Sequence, residues 1–154
     1  MTEPQNILRR VRSFVRRDGR MTDGQKQALE KTFPLVGLKR EDGAADFHAI
    51  FQREAPRILE IGFGSGYSLL EMAKANPEQD FIGIETHLPG IGTLLQGIEA
   101  HQLKNIRVYY ADAVEVLGQC IPDKSLDIVQ IFFPDPWPKR KHHKRRMIVS
   151  SCFK

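Results

Sequence analysis

The sequence predicts an α/β fold in which a parallel sheet is covered by helices on both faces. Short runs rich in β-branched and aromatic residues, bounded by Gly, Pro, Asp or Asn, recur about every 25 residues, and segments with helical spacing lie between them. Strand, helix and strand at this interval require parallel strands joined by right-handed crossovers. The predicted strands are Arg57–Ile61, Asp80–Ile84, Ile106–Tyr110 and Leu126–Phe133, and the predicted helices between them are Ser68–Ala75, Gly90–Gln102 and Ala113–Gly118.

The chain before residue 56 predicts a basic helical preamble (1–55) to a core domain (56–154). From Asn6 to Arg17 the apolar residues recur at helical spacing and arginines cover the remaining surface. A second short helix is predicted up to Lys31, opened by Thr22 or Asp23.

Composition excludes several classes of protein. Among the 154 residues, 41% are hydrophobic, and no apolar run has the length of a membrane span or of a signal-peptide core, so we expect a cytoplasmic protein. The two cysteines lack metal-ligand spacing and predict reduced thiols without a role.

The net charge of +4 hides an uneven distribution. The first 20 residues carry six arginines against two acids, residues 139–154 carry seven lysines or arginines and no acid, and the middle carries ten basic against seventeen acidic residues. An acidic middle with two basic ends is typical of a protein that binds a polyanion through its ends.

A glycine-rich turn follows the first predicted strand. Gly62, Gly64 and Gly66 alternate, and position 67 is Tyr, whereas the dinucleotide fingerprint places its third glycine three residues after the second. The turn therefore favours an adenosyl group without a pyrophosphate.

Each predicted strand delivers one carboxylate toward its carboxyl end, where open parallel sheets bind ligands. A row of acids repels a pyrophosphate but suits S-adenosylmethionine, whose sulfonium and ammonium groups are cationic. Glu85 stands where a ribose-binding acid is expected, and Asp112 can equally be a helix N-cap. The four acids are Glu60, Glu85, Asp112 and Asp135.

A proline-rich turn and a basic run follow the fourth predicted strand. Prolines at 134, 136 and 138 hold Asp135 and Trp137 on a stiff turn, which favours a base-binding site. The alternative is that Trp137 covers the core and Asp135 is the N-cap of the next helix. The run from Lys139 to Arg146 favours contacts with phosphates; the alternatives are a solvated basic run and a patch that resembles a nuclear-localisation signal. We assign His142 and His143 to this charged surface and predict no metal.

The sequence resembles the bacterial tRNA (guanine-N7-)-methyltransferases. The match extends over nearly the whole chain from about Leu8, and its narrowest part is Phe132–Trp137 followed by the basic run. The matching segments are Arg12–Arg17, Gly19–Arg20, Thr22, Leu59–Gly64, Gly83–Glu85, Asp112–Leu117, Phe132–Trp137, Lys139 and Lys144–Arg146.

This resemblance implies a class I, Rossmann-like methyltransferase fold that uses S-adenosylmethionine to methylate N7 of a guanosine in the tRNA variable loop. By position, the four acids look like cofactor contacts, Asp135 like the active-site residue and Lys139 like a substrate contact. The implied RNA-contacting residues are Lys141, His142, His143, Lys144, Arg145 and Arg146.

The family's sheet has seven strands, whereas this chain supplies four recognisable ones before Lys154. We therefore expect a C-terminally truncated member with an incomplete sheet, and an unpaired edge on the fourth predicted strand. Two alternatives to N7 methylation stay open: methylation of an exocyclic amine in RNA, and a non-catalytic RNA-binding fragment.

Overall fold

A computed structural model describes residues 19–133 and 145–150 of the chain. In these residues one mixed sheet has the strand order β1-β4-β3-β2-β5-β6. Its strands are β1 (Gly37–Leu38), β2 (Arg57–Ile61), β3 (Asp80–Glu85), β4 (Ile106–Tyr110), β5 (Ile128–Phe133) and β6 (Arg145–Ser150). The helices are α1 (Asp23–Lys31), α2 (Phe33–Val36), α3 (Phe47–Phe51), α4 (Tyr67–Ala75), α5 (Leu88–His101) and α6 (Ala113–Gln119), with a 3₁₀ turn at Arg40–Asp42.

The first five strands run parallel, and their order places the ligand-binding crevice. The chain steps outward from β2 to β3 and β4, and then returns to the other side of β2 to form β5. In open α/β sheets, ligands bind outside the carboxyl ends of the strands where the order reverses. The order reverses at β2, whose two neighbours in the sheet are β3 and β5. The carboxyl end of β2 therefore marks the expected crevice.

The expectation of an unpaired edge on β5 is wrong. Strand β6 pairs with β5 in antiparallel register along its whole length, with Ile128 opposite Ser150 and Phe133 opposite Arg145. The run Met147–Val149 is rich in residues that favour strands, and an antiparallel partner needs no crossover helix. In the sequence, the basic residues at 139–146 mask this apolar continuation.

Two apolar clusters cover the two faces of the sheet. Successive residues of a strand point to opposite faces, so Ile58 and Phe81 join one cluster while Leu59 and Ile82 join the other. Helix α5 supplies the first cluster with residues at positions i, i+3, i+4 and i+7 of one apolar stripe, namely Ile91, Leu94, Leu95 and Ile98.

The segment before residue 56 packs onto the same sheet. Ala28 and Val36 belong to the first cluster, Phe47 belongs to the second, and β1 extends the sheet beside β4. A boundary at residue 56 stays a prediction. The predicted helix at 6–17 lies outside the described residues.

Helix α1 begins as its sequence predicts. Thr22 is the N-cap, its hydroxyl accepts from the Gln25 N–H at 3.1 Å, and the Gln25 side chain accepts from the Thr22 N–H at 2.9 Å, a reciprocal capping box. No helix among the described residues has the length and apolar character needed to cross a membrane.

Candidate cofactor site

The glycine turn connects β2 to α4 at the carboxyl edge of the sheet. Gly62, Gly64 and Gly66 have φ values of +72°, +66° and +79°, which is the left-handed region that side chains with a Cβ disfavour. Gly66 is also the N-cap of α4. The alternation of glycines therefore corresponds to three left-handed backbone positions within one tight turn.

Glu85, the last residue of β3, organises the backbone around this turn. One carboxylate oxygen accepts from the Gly64 N–H at 2.7 Å, and the other accepts from the N–H groups of Thr86 and His87 at 2.9 Å each. Two carboxylate oxygens offer about four acceptor positions, so about one stays available. The ribose-binding acid predicted from the sequence is thus also the residue that ties the glycine turn to β3.

Asp112 is the N-cap of α6. Its Oδ1 accepts from the Val114 N–H at 2.8 Å and from the Glu115 N–H at 3.3 Å. The alternative foreseen from the sequence, a helix cap, is therefore correct for this oxygen. The described residues donate no hydrogen bond to Oδ2, which leaves this oxygen for a ligand.

Glu85 and Asp112 line one pocket of about 270 Å³. Aliphatic side chains and glycine backbone form its walls, so the pocket combines apolar surface with two acceptors. Such a lining suits a flat heterocycle attached to a hydroxyl-bearing sugar, and its negative charge disfavours a pyrophosphate. The lining residues are Ile61, Gly62, Ile84, Glu85, Thr86, Ala111, Asp112 and Ala113.

Sequence reasoning did not identify the apolar walls of this pocket. In the sequence, these wall residues are recognisable only by their position: Ile61, Ile84 and Ala111 lie at strand ends, and Thr86 follows Glu85. The alternation of strand residues was the available signal, because it selects which strand-end side chains face the crevice.

Glu60, predicted as a cofactor contact at the end of the first strand, lies near the carboxyl end of β2, and its role stays a prediction. It is the penultimate residue of β2, opposite Gly83 on one side and Gln130 on the other, and its side chain is 1% exposed. It is not among the residues that line the pocket. Of the three predicted acids that the structure describes, Glu85 and Asp112 lie on one pocket, and Glu60 lies inside the sheet between β3 and β5.

The remaining predicted site residues lie at or beyond the end of β5. Arg145 and Arg146 begin β6, where their backbones pair with Phe133 and Phe132. Outside the described residues lie Asp135, Trp137, Lys139, Lys141, His142, His143 and Lys144.

Comparison with known proteins shows that the chain is similar to methyltransferases. A family model described as "Putative methyltransferase" matches residues 54–154. The chain is 58% identical over 148 residues to a tRNA (guanine-N(7)-)-methyltransferase of Ectopseudomonas mendocina, over 96% of this chain and 62% of that protein. It is 59% identical to the protein of the same name from Idiomarina loihiensis, over 92% of this chain and 58% of that protein.

The chain spans about three fifths of the length of these curated relatives, since 62% and 58% of them are covered. Among solved structures, that of an antibiotic-related methyltransferase gives a TM-score of 0.46 at 13% sequence identity, over 66% of this chain and 65% of that one.

Proposed function

The chain belongs to this family of methyltransferases, and on that premise we propose that it serves to transfer a methyl group from S-adenosylmethionine to N7 of a guanosine in the variable loop of tRNA. The observation that carries the proposal is the joint placement of Glu85 and Asp112 on one pocket beside the glycine turn. The relatives named above support tRNA guanine N7 as the acceptor.

The pocket residues fit the adenosyl part of this cofactor. Glu85 keeps about one acceptor position and Asp112 keeps Oδ2, which match hydroxyl and amino donors. The Gly62, Gly64 and Gly66 backbone supplies a surface that no Cβ obstructs. Glu60 is a further proposed contact, for the cationic end of the cofactor, because it lies two residues before Gly62, where the turn begins.

The acceptor chemistry requires alignment more than acid or base catalysis. Guanine N7 carries an in-plane lone pair, so no proton has to be removed and no metal is needed to create the nucleophile. When bound, S-adenosylmethionine supplies an electrophilic methyl group whose C–S bond breaks with its electron pair going to sulfur as N7 forms the new bond. Catalysis then rests on holding the reacting atoms about 3 Å apart.

Asp135 is the proposed catalytic residue. A carboxylate two residues after the end of β5 can accept from the N–H edge of guanine and offset the positive charge that develops on the base. We propose Lys139 as a further substrate contact. The proposed RNA contacts are Lys141, His142, His143, Lys144, Arg145 and Arg146, whose fixed charges favour phosphates. Since its substrate is tRNA, we place the protein in the cytoplasm.

Methyl transfer to unmodified tRNA, followed by nucleoside analysis, tests the proposal. The assay compares the 154-residue chain with a version extended to the length of the curated relatives, each with and without Asp135→Asn. We expect N7-methylguanosine from the active forms, and a much larger loss of turnover than of cofactor affinity in the Asp135 variants. A methyl group on an exocyclic amine contradicts the N7 assignment, and tRNA binding by both forms without cofactor binding indicates an RNA-binding protein instead.

A further inference from the structure

The first turn of helix α5 packs against the glycine turn at a point where no side chain can fit. Gly90 is the third residue of α5 and is buried. A Cβ at this position would lie 2.1 Å from the carbonyl oxygen of Gly64 and 2.8 Å from its carbonyl carbon. Because both atoms are backbone, they cannot rotate aside as the end of a side chain can.

A second contact on the same face of α5 extends this surface. Leu94 is four residues after Gly90, and residues at this spacing lie on one face of a helix. A Cβ on Gly66 would lie 2.8 Å from the Cβ of Leu94 and 2.9 Å from its Cδ1. The stripe formed by Gly90 and Leu94 therefore backs the turn at both Gly64 and Gly66.

Gly64 is consequently held at its N–H group and at its carbonyl group. Its N–H donates to Glu85 at 2.7 Å, while its carbonyl oxygen takes the space beside Gly90 that a side chain would fill. Any displacement of the carbonyl moves the same residue that Glu85 binds. The packing of α5 is thus coupled mechanically to a carboxylate of the pocket.

We propose that Gly90 is a positioning residue for the cofactor pocket: its missing side chain sets the position of the Gly64 backbone, and through it the orientation of Glu85. The identity of the ligand rests on the proposed function, whereas the coupling between Gly90 and Gly64 rests on the packing alone. Gly90 itself is not among the residues that line the pocket.

Gly97 provides a matched control on the same helix. A Cβ there would lie 2.5 Å from Cδ2 of Leu70, the far end of a flexible side chain. Gly→Ala raises the intrinsic helix propensity at both positions. The two substitutions therefore differ in what the new methyl group meets: a backbone carbonyl in one case and a side-chain methyl in the other.

The test compares the chain with Gly90→Ala and Gly97→Ala by three measurements: thermal unfolding, calorimetric titration with S-adenosylmethionine, and ¹H–¹⁵N spectra without ligand. Since ordinary contacts begin at 3.4 Å and the new Cβ would lie 2.1 Å from the Gly64 carbonyl oxygen, the two groups must separate by about 1.3 Å. A misplacement of about 1 Å costs an enzyme up to about a hundredfold in rate, and we take the same range for cofactor binding. We expect Gly90→Ala to weaken cofactor binding by about ten- to a hundredfold and to shift the Gly64 and Thr86 amide signals. We expect Gly97→Ala to change cofactor affinity by no more than about twofold. The Gly64 and Thr86 amide signals should stay unshifted in this variant.

The outcomes test the positioning role of Gly90 and the proposed function separately. Unshifted Gly64 and Thr86 amides in folded Gly90→Ala, or an equal loss of affinity in both variants, overturns the positioning role. If the unsubstituted chain does not bind S-adenosylmethionine, the proposed function fails, while the amide shifts still report on the coupling.

Hydrogen exchange in the unsubstituted chain keeps the inference testable if Gly90→Ala does not fold. A turn held by α5 opens together with that helix, so the Gly64 amide should be protected to within about tenfold of the Leu94 and Leu95 amides. Exchange of the Gly64 amide near the unprotected rate contradicts the proposal.

Discussion

Replacing Glu85 by alanine removes the acceptor for three backbone N–H groups and one of the two pocket carboxylates. The three bonds, to Gly64, Thr86 and His87, measure 2.7, 2.9 and 2.9 Å. Hydrogen bonds to charged groups contribute about 1.5–3 kcal/mol each when well shielded. These donors are partly exposed, so water replaces part of the loss, and we take about 1 kcal/mol for each.

The free energy of unfolding should therefore fall by about 3 kcal/mol in Glu85→Ala. Cofactor affinity should fall by about a hundredfold or more, because the variant loses one charged acceptor and loosens the glycine turn. Glu85→Gln keeps one acceptor oxygen, so it should lose affinity with a smaller change in stability. Glu78→Ala, on an exposed turn, is the matched control and should change neither quantity.

Urea denaturation and calorimetric titration with S-adenosylmethionine measure the two effects separately. An affinity in Glu85→Ala within threefold of the unsubstituted chain would refute the role of Glu85 in the pocket. Unfolding energies that match those of Glu78→Ala would refute the claim that the carboxylate stabilises the turn.

Three further predictions concern the buried ion pair, the buried thiol and the basic run. Asp80 is fully buried and binds Arg53 at 2.7 and 2.9 Å, with Arg57 at 3.7 Å. Because Asp80→Ala leaves these charges without their partner, it should lower the free energy of unfolding by about 3 kcal/mol. A loss below about 1 kcal/mol in urea denaturation contradicts this prediction. Burial raises the pKa of the Cys120 thiol above its ordinary 9.0, so folding favours the protonated thiol, and its contribution to stability is complete below pH 9 and declines as the pH rises further. In a Cys152→Ser background, Ellman's reagent should accordingly react with Cys120 mainly after denaturant is added, and equal rates in native and denatured protein refute the assignment. Affinity for tRNA should fall steeply with salt, by about 0.7–0.9 log units per log of salt for each phosphate contact; filter binding across salt concentrations measures the slope, and a slope near zero removes the role of the basic run.

Local patterns predicted most of the regular structure of the core. Strands β2 and β4 have the bounds predicted from their β-branched and aromatic runs, and α5 follows its apolar stripe, starting two residues earlier because Pro89 can occupy the first turn. The two strands carry β-branched or aromatic runs, and α5 carries a strong helical period, so their own residues determine them.

Elements without such a pattern were missed. Strand β1 has two residues and exists through its pairing with β4, and α3 is a five-residue helix capped by Asp46. Strand β1 depends on a strand distant in sequence, and α3 is too short to show a helical period and packs through Phe47 against the second apolar cluster. Strand β6 carries basic residues that sequence reasoning assigned to RNA contact, and its pairing with β5 became apparent only in the sheet.

For the candidate site, the sequence by itself determined the chemistry: alternating glycines after a strand, and acids at successive strand ends that favour a cationic nucleoside ligand. Tertiary structure alone decided which of these groups meet. It placed Glu85 and Asp112 on one pocket, left Glu60 between two strands, and set Gly90 against the Gly64 carbonyl. The physical reason is that residue type and spacing specify local backbone and charge, whereas strand order and helix packing bring together groups that are far apart along the chain.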